Sequence, residues 1–551
     1  MATKTRAAKT TRAEQKALLK LSPFELKDKL MELASESEKE GQGPMLNAGR
    51  GNPNWVCTTP REAFGTLLRF AIDETRRGVG LVPDVGRMPE KAGSAQRFTA
   101  FLHANANAPG AKLLRESFDY GVNTLKFDPD TFAHELADGI IGDMYPVPDR
   151  MLRCTERIVH EYLAVEMCAG KPPAGKYDIF AVEGGTAAMC YIFDSLMVNG
   201  LLKKGDTIAL AVPTFQPYIE IPHLDRYKFK VVNIDAGKEL NPDGTHSWQY
   251  TDAEIDKLGD KRIKAFFLVN PSNPPSLAMR ASSMARLVSV VKKKHPGLMI
   301  VTDDVYGTFV PGFRSLMAEL PHNTIGVYSY SKHFGCTGWR LGVIAIHQDN
   351  IFDKMIAKLP AKEKTALHHR YGSITLTPEK LKFIDRMVAD SRSVALNHTA
   401  GLSLPQQIQM GLFSMFALLD TSHSYKTLCQ LIVRRRFKGL LDGVGVPLPH
   451  DADRAFYYVE LDLMRWAEST YGADFARFLK KNYECTDVLF RLAEKSGVVL
   501  MHGGGFGGPD WSVRVSLANL REDTYPKIGQ YLKEAAEGYV EEWRASRKAG
   551  K

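Results

Sequence analysis

An α/β fold built on a mostly parallel sheet is what this 551-residue sequence predicts, and three observations predict it. First, short β-branched or aromatic runs recur at 178–182, 207–212, 228–234, 265–269, 298–303, 324–328 and 342–346. Second, amphipathic segments of helical length separate them, and strands joined by helical crossovers make a mainly parallel sheet covered on both faces. Third, a hydrophobic share of 44% and a charged share of 25% are ordinary globular values, which excludes wholesale disorder and collagen-like repeats. The length exceeds one small module and calls for more than one domain.

The elements follow in order. Residues 12–21 and 23–38 carry spaced leucines among Lys and Glu and read as helices, with Ser22-Pro23 and Glu25 as a helix start of capping-box type. The Gly/Pro/Asn-rich stretch 41–53 is irregular. Residues 59–140 read as mainly helical. After the seven strands, 350–440 reads as helices with one loop at 397–405. The end, 441–540, reads as α+β with strands at 455–461 and 513–517 and a buried apolar run at 497–501. The expected division is 1–140 as N-terminal arm, loop and extra helices belonging with the small domain, 141–430 as large domain, and 431–551 as C-terminal small α+β domain.

The net charge of +9 sits at the ends. Residues 1–20 carry +5 (Lys4, Arg6, Lys9, Arg12, Lys16 and Lys20 against Glu14) and 544–551 carry +4, which leaves the rest neutral. A nucleic-acid-binding face is therefore not expected. No apolar run approaches the ~20 residues of a membrane span, and the N-terminus lacks the apolar core of a secretory signal. Its Arg/Lys- and Thr-rich start loosely fits a mitochondrial presequence, a frayed solvated tail being the commoner reading. The seven cysteines are scattered, without a CxxC pair, which argues against a disulfide framework or structural zinc and for a reduced cytoplasm.

The chemistry gathers where strands end. In Tyr328-Ser-Tyr-Ser-Lys-His-Phe-Gly335, Lys332 directly follows a strand, flanked by hydroxyls and glycines, with Arg340 eight residues on. A buried lysine is costly unless its ammonium is solvated, paired or used, and one use is a Schiff base. Ser329, Ser331 and Arg340 suit a phosphate, the arginine as a bidentate clamp. Val301-Thr-Asp-Asp-Val-Tyr306 ends a strand with Asp303 and Tyr306, a carboxylate for a pyridinium nitrogen and a phenol for a ring oxygen. Asn270-Pro-Ser-Asn-Pro-Pro275 is a rigid turn that presents Asn273 to the same oxygen. Glu183-Gly-Gly-Thr-Ala-Ala188, between strand and helix, offers amides to a phosphate. Phe215, in Pro213-Thr-Phe215, can lie over a flat ring. Each taken alone also fits an ordinary turn, cap or packed ring. Together they fall where ligands bind in open α/β sheets.

This ordered set resembles the class I and II aminotransferases, the fold-type-I pyridoxal-phosphate enzymes, over roughly residues 130–530. The resemblance implies a mostly parallel seven-stranded large domain, a smaller α+β domain, added helices and pyridoxal 5'-phosphate as cofactor. It implies Lys332 as the lysine that carries the cofactor, and Asp303 as partner of its ring nitrogen. Tyr306 and Asn273 then hold the 3'-oxygen, Phe215 stacks on the ring, and Gly185, Thr186, Ser329 and Arg340 hold the phosphate. Tyr145, in Gly142-Asp-Met-Tyr-Pro-Val-Pro148, matches the tyrosine that reaches the phosphate of a neighbouring subunit, which implies at least a homodimer. Arg514, in Ser512-Val-Arg-Val-Ser-Leu517, matches the arginine for the substrate carboxylate. Gly51-Asn-Pro-Asn-Trp55 matches the mobile loop that closes over substrate; Gly51 and Asn273 are substrate-side candidates.

The chain departs from an ordinary family member in its length, in Asn273-Pro-Pro-Ser276, in the added Arg50, and in helical additions at 59–140 and 350–400. These departures resemble the branch that removes the β-carboxylate of L-aspartate as well as transaminating it with a keto acid. A carboxylate held in a tight ion pair is poorly disposed to leave as CO2, so the second contact should be loose; Arg50 is the candidate, a solvent-facing loop arginine being the alternative. A plain aspartate or aromatic aminotransferase and, more remotely, a non-catalytic regulator on this scaffold remain the other readings.

Overall fold

The computed structural model describes residues 10–41, 43–77, 84–242, 244–395, 399–446 and 452–549. Lys4, Arg6, Lys9 and Lys551 of the basic ends, and the start of the 397–405 loop, lie outside the described residues.

Seven strands form the large sheet: β1 (Tyr177–Val182), β2 (Thr207–Val212), β3 (Lys230–Asp235), β4 (Ile263–Val269), β5 (Met299–Asp303), β6 (Thr324–Ser329) and β7 (Gly342–His347). Their order is β1-β7-β6-β5-β4-β2-β3, and every pairing is parallel except those of β7. β1, β6 and β7 are buried along their whole length, as a sheet covered on both faces requires. β3 lies at the edge and is largely exposed or half-buried. It starts two residues later than the apolar run because Lys228 turns with φ +45°, outside the extended region.

A three-stranded antiparallel sheet follows: β8 (Tyr458–Asp462), β9 (Met501–His502) and β10 (Ser512–Ser516), in the order β9-β10-β8. β8 starts later than the run 455–461 because Phe456 has φ +55°. The apolar run at 497–501 divides: Val498 and Val499 pair with Leu46 and Asn47, while Met501 pairs with Arg514. This stitches the N-terminal arm to the C-terminal sheet. Helix Pro23–Lys39 starts at Ser22, whose side chain accepts the Glu25 amide, and its Leu26 and Leu30 join one apolar core with Leu489, Val498 and Val515.

The helices Thr59–Arg76, Ser94–Ala104, Ala111–Asn123 and Pro129–Ile141 share a different core, with Leu152, Ile158, Leu404, Ile408 and Leu412. None of the described residues of 431–551 belongs to that buried core. Helices Thr59–Arg76, Ala111–Asn123 and Pro129–Ile141 pack on the helix Leu404–Leu419, while Phe70 of the first turns to Phe98 and Phe101 of helix Ser94–Ala104.

Candidate active site

The C-terminal ends of β1, β2, β4, β5 and β6 converge on a cavity of about 330 Å³. Gly51, Gly185, Thr186, Phe215, Asn273, Asp303, Tyr306, Ser329, Lys332, Arg340 and Arg514 all line it. That gathers segments spread over more than four hundred residues of chain.

Lys332 stands three residues beyond β6. Its Nζ donates to the Gly51 carbonyl at 2.8 Å and lies 5.9 Å from the centre of the Tyr457 ring. Tyr457 Oη donates to the same carbonyl at 2.9 Å. The amine is thus held against loop 46–55 by one hydrogen bond and is free of any carboxylate partner among the described residues. Loop 46–55 is itself anchored: Trp55 Nε1 donates to His333 O at 3.1 Å and Asn54 N to Ala518 O at 2.9 Å. Gly335 is required there, since a Cβ on it would stand 1.9 Å from Trp55 O and its φ is +57°.

Asp303 and Asp304 end β5 facing opposite ways. Asp304 turns away from the cavity to Thr302 and Ser315, and burial pushes its carboxyl up to about 7. Asp303 faces the cavity, where Tyr218 Oη donates to its Oδ2 at 2.5 Å and the Val305 amide to its Oδ1 at 3.3 Å. Burial raises its pKa, against those two donors and the Lys332 charge. Such a carboxylate is poised to pair with a protonated ring nitrogen, which would restore the charge compensation that burial denies it.

The anion side is equally built. Helix Gly185–Val198 starts without a side-chain cap, so its first amides remain for a ligand. A Cβ on Gly184 would lie 2.6 Å from Arg340 Nη2, and one on Gly342 would lie 2.6 Å from Gly184 Cα. The two glycines let Arg340 reach over the turn, where it donates to Glu183 O and Thr337 O, both at 3.1 Å. Ser329 Oγ and Ser331 Oγ are 2.9 Å apart beside it. Donors of this kind, a cation and a helix N-terminus fit a phosphate, and with Asp303 and Lys332 the residues fit pyridoxal phosphate.

Arg514 is buried, with its Nη1 donating to Asn273 Oδ1 at 3.3 Å and its Nη2 to Gly49 O at 2.8 Å. The guanidinium lies 4.5 Å from the Tyr458 ring centre and 4.7 Å from that of Phe506. No carboxylate pairs with it among the described residues.

Two candidates stand elsewhere. Tyr145 is 71% exposed in the loop after helix Pro129–Ile141, beside Pro405, away from the cavity wall. Arg50 is exposed and does not line the cavity, although its neighbour Gly51 does. Sequence reasoning missed Phe24, Asn52, Tyr218, Val305, Thr337 and Tyr458 on the wall. Tyr218 carries a signal, one helical turn beyond Phe215. So does Tyr458: strand alternation places it on the face of Arg514, two residues from Arg514's register partner Glu460. Its hydroxyl accepts from Tyr306 Oη at 3.3 Å. Burial opposes its ionisation, but the Lys332 and Arg514 cations together with the Tyr306 hydrogen bond lower its pKa.

The model of the family described as aminotransferase class I and II matches residues 181–532. The chain belongs to that family. A bifunctional aspartate aminotransferase and L-aspartate beta-decarboxylase of Pseudomonas sp. is 48% identical over 533 residues, 97% of this chain and 99% of that relative. An aspartate aminotransferase of Rhizobium meliloti is 27% identical over 30% of this chain and 39% of its own length. Among solved structures, the aspartate aminotransferase of Rhizobium meliloti superposes with TM-score 0.57 at 16% identity, covering 92% of this chain and 95% of that one. The N-succinyldiaminopimelate aminotransferase of Mycobacterium tuberculosis superposes with TM-score 0.54 at 16% identity, over 92% and 96%. As an aminotransferase of this family the chain uses pyridoxal phosphate, with an amino acid and a keto acid as reactants. No helix among the described residues is long and apolar enough to cross a membrane.

Proposed function

We propose that this aminotransferase-family chain removes the β-carboxylate of L-aspartate, releasing L-alanine and CO2, and transaminates aspartate with a keto acid as a second activity. The observation that carries the reading is the full-length relationship at 48% identity to a relative named for both activities. The cavity supports it, since Lys332, Asp303 and an Arg514 without a carboxylate partner line one space.

Pyridoxal phosphate, when bound, supplies an aldehyde for an amine and a ring that accepts the electron pair released at the substrate. Lys332 would carry it, and its amine, freed once the substrate's amine has taken its place, would take the Cα proton. Asp303, steadied by Tyr218, would keep the ring nitrogen protonated. Tyr306 and Asn273 would hold the 3'-oxygen, Phe215 would cover the ring, and Gly185, Thr186, Ser329 and Arg340 would hold the phosphate. Arg514 takes the α-carboxylate in the manner of a bidentate clamp. Loop 46–55, through Gly51, excludes water, which would otherwise divert the reaction towards the keto acid. Arg50 at the rim suits a loosely held second carboxylate. The exposed Tyr145 suits the phosphate of a second copy, hence a homodimer or a larger homo-oligomer. The scattered cysteines without a CxxC pair suit a reduced, cytoplasmic setting. The proposed division keeps 141–430 as the large domain and 431–551 as the small one, and from the N-terminal part, 1–140, Leu26, Leu30, Ala34 and Ala48 share an apolar core with the small one.

Gas evolution from aspartate against glutamate tests the reading. Aspartate is expected to release CO2. Glutamate is expected to release none, because its distal carboxylate is one carbon too far from the electron-accepting centre. Absence of CO2 from aspartate overturns the decarboxylase reading and leaves a plain aminotransferase.

A further inference from the structure

Behind Arg514 lies a carboxyl that the proposed chemistry does not use. Glu460 on β8 stands directly across the ladder from Arg514 on β10. It is buried, its Oε1 accepts from Ser512 Oγ at 2.8 Å, and its Oε2 has no partner among the described residues. The turn 503–508 wraps it closely: a Cβ on Gly508 would come 2.0 Å from Oε1 and one on Gly503 would come within 2.7 Å. Arg514 shows the matching deficit, its Nε buried without a partner. Among the described residues, a buried acid without a paired cation thus faces a buried cation without a paired anion across one strand pair. If both were charged, the low dielectric would drive them together. Instead, the guanidinium leans towards Asn273 and the cavity.

We propose that Glu460 is a positioning residue for the substrate-carboxylate site. With its proton it leaves the charge of Arg514 to the substrate; once the proton passes to water, Glu460 becomes the internal counter-ion of Arg514 and weakens substrate binding. The proposal rests on the reading of Arg514 as the carboxylate site. The groups facing Glu460 agree with it. Burial pushes its pKa up to about 8, with Asp462 on its own strand and Asp235 at the end of β3 adding to the rise, against Ser512 and Arg514 on β10. His246 hydrogen-bonds Asp462 at 2.9 Å, and Tyr458 is the remaining titratable neighbour on that face of β8.

The test measures succinate, a dicarboxylate without an amino group, binding to the holoenzyme by calorimetry from about pH 6.5 to about pH 9. Glu460→Gln is uncharged throughout. Its affinity should match the native protein's at the low end and exceed it by about tenfold at the high end, as one proton titrating near 8 requires. Parallel curves for the two proteins overturn the proposal. Arg514→Gln separates the two claims: if it binds succinate as tightly as the native protein, the carboxylate-site reading fails, whereas loss of succinate with parallel Glu460→Gln curves condemns the Glu460 proposal alone. If Glu460→Gln does not fold, Ser512→Ala serves. Without its donor the acid holds its proton longer, so the alkaline loss of affinity moves to higher pH; an unmoved midpoint overturns the proposal.

Discussion

Lys332→Ala is expected to lower CO2 release from aspartate by about 10⁴-fold or more, since one residue is asked to anchor the cofactor covalently and to act as base. The fold should survive, because the ammonium makes a single hydrogen bond, to Gly51 O, and the side chain is only partly buried. Two readouts check this: gas evolution, and the visible absorbance of the lysine-linked cofactor, which should vanish while the thermal transition stays. Retained activity would remove Lys332 from the chemistry. Retained absorbance with lost activity would assign it to proton transfer alone.

Arg514→Gln carries the second large effect, and its interest is that function and stability part company. The charge is buried among Asn273, a carbonyl and two aromatic rings, with no carboxylate partner among the described residues. Burial lowers its pKa, so folding is opposed by the very charge that the substrate needs. Neutralising it should cost kcat/KM about 10²-fold or more, mostly through KM, as loss of one partner of a buried charge pair does. The unfolding midpoint in denaturant should hold or rise. A fall in stability comparable to the loss in binding would mean that Arg514 serves the fold rather than the substrate. Because Arg514 and Glu460 are register partners, the two variants should not combine additively.

Much of the large domain was legible in the sequence because its strands, edge strand β3 apart, are largely buried on both faces and so read as apolar runs between helical lengths. The candidate residues at those strand ends stood out as an ordered set rather than singly, because the carboxyl ends of a parallel sheet's strands share one edge, and most of them line one cavity. Asp303 was separable from Asp304 by its three-residue spacing to Tyr306 and by the ordered family pattern, and the fold gives the physical reason, since Thr302 and Ser315 satisfy Asp304 on the far side. What escaped lies where chemistry depends on pairing between distant segments. Tyr458 matters through its ring under Arg514, and Glu460 through a ladder register that no local spacing announces. The helices of 59–141 gave their periodicity but not their neighbours. Which apolar stripe meets which is a matter of tertiary packing, and theirs meets helix Leu404–Leu419, far along the chain.

The most direct measurement follows aspartate with enzyme and pyridoxal phosphate in the absence of any keto acid, recording CO2, alanine and oxaloacetate together over many turnovers. β-Decarboxylation by this chain predicts alanine and CO2 rising in equal amounts far beyond the amount of enzyme, with oxaloacetate confined to an occasional diverted turnover. An aminotransferase without the second activity would stop after about one equivalent of oxaloacetate per site and make no alanine, and that result would contradict the account.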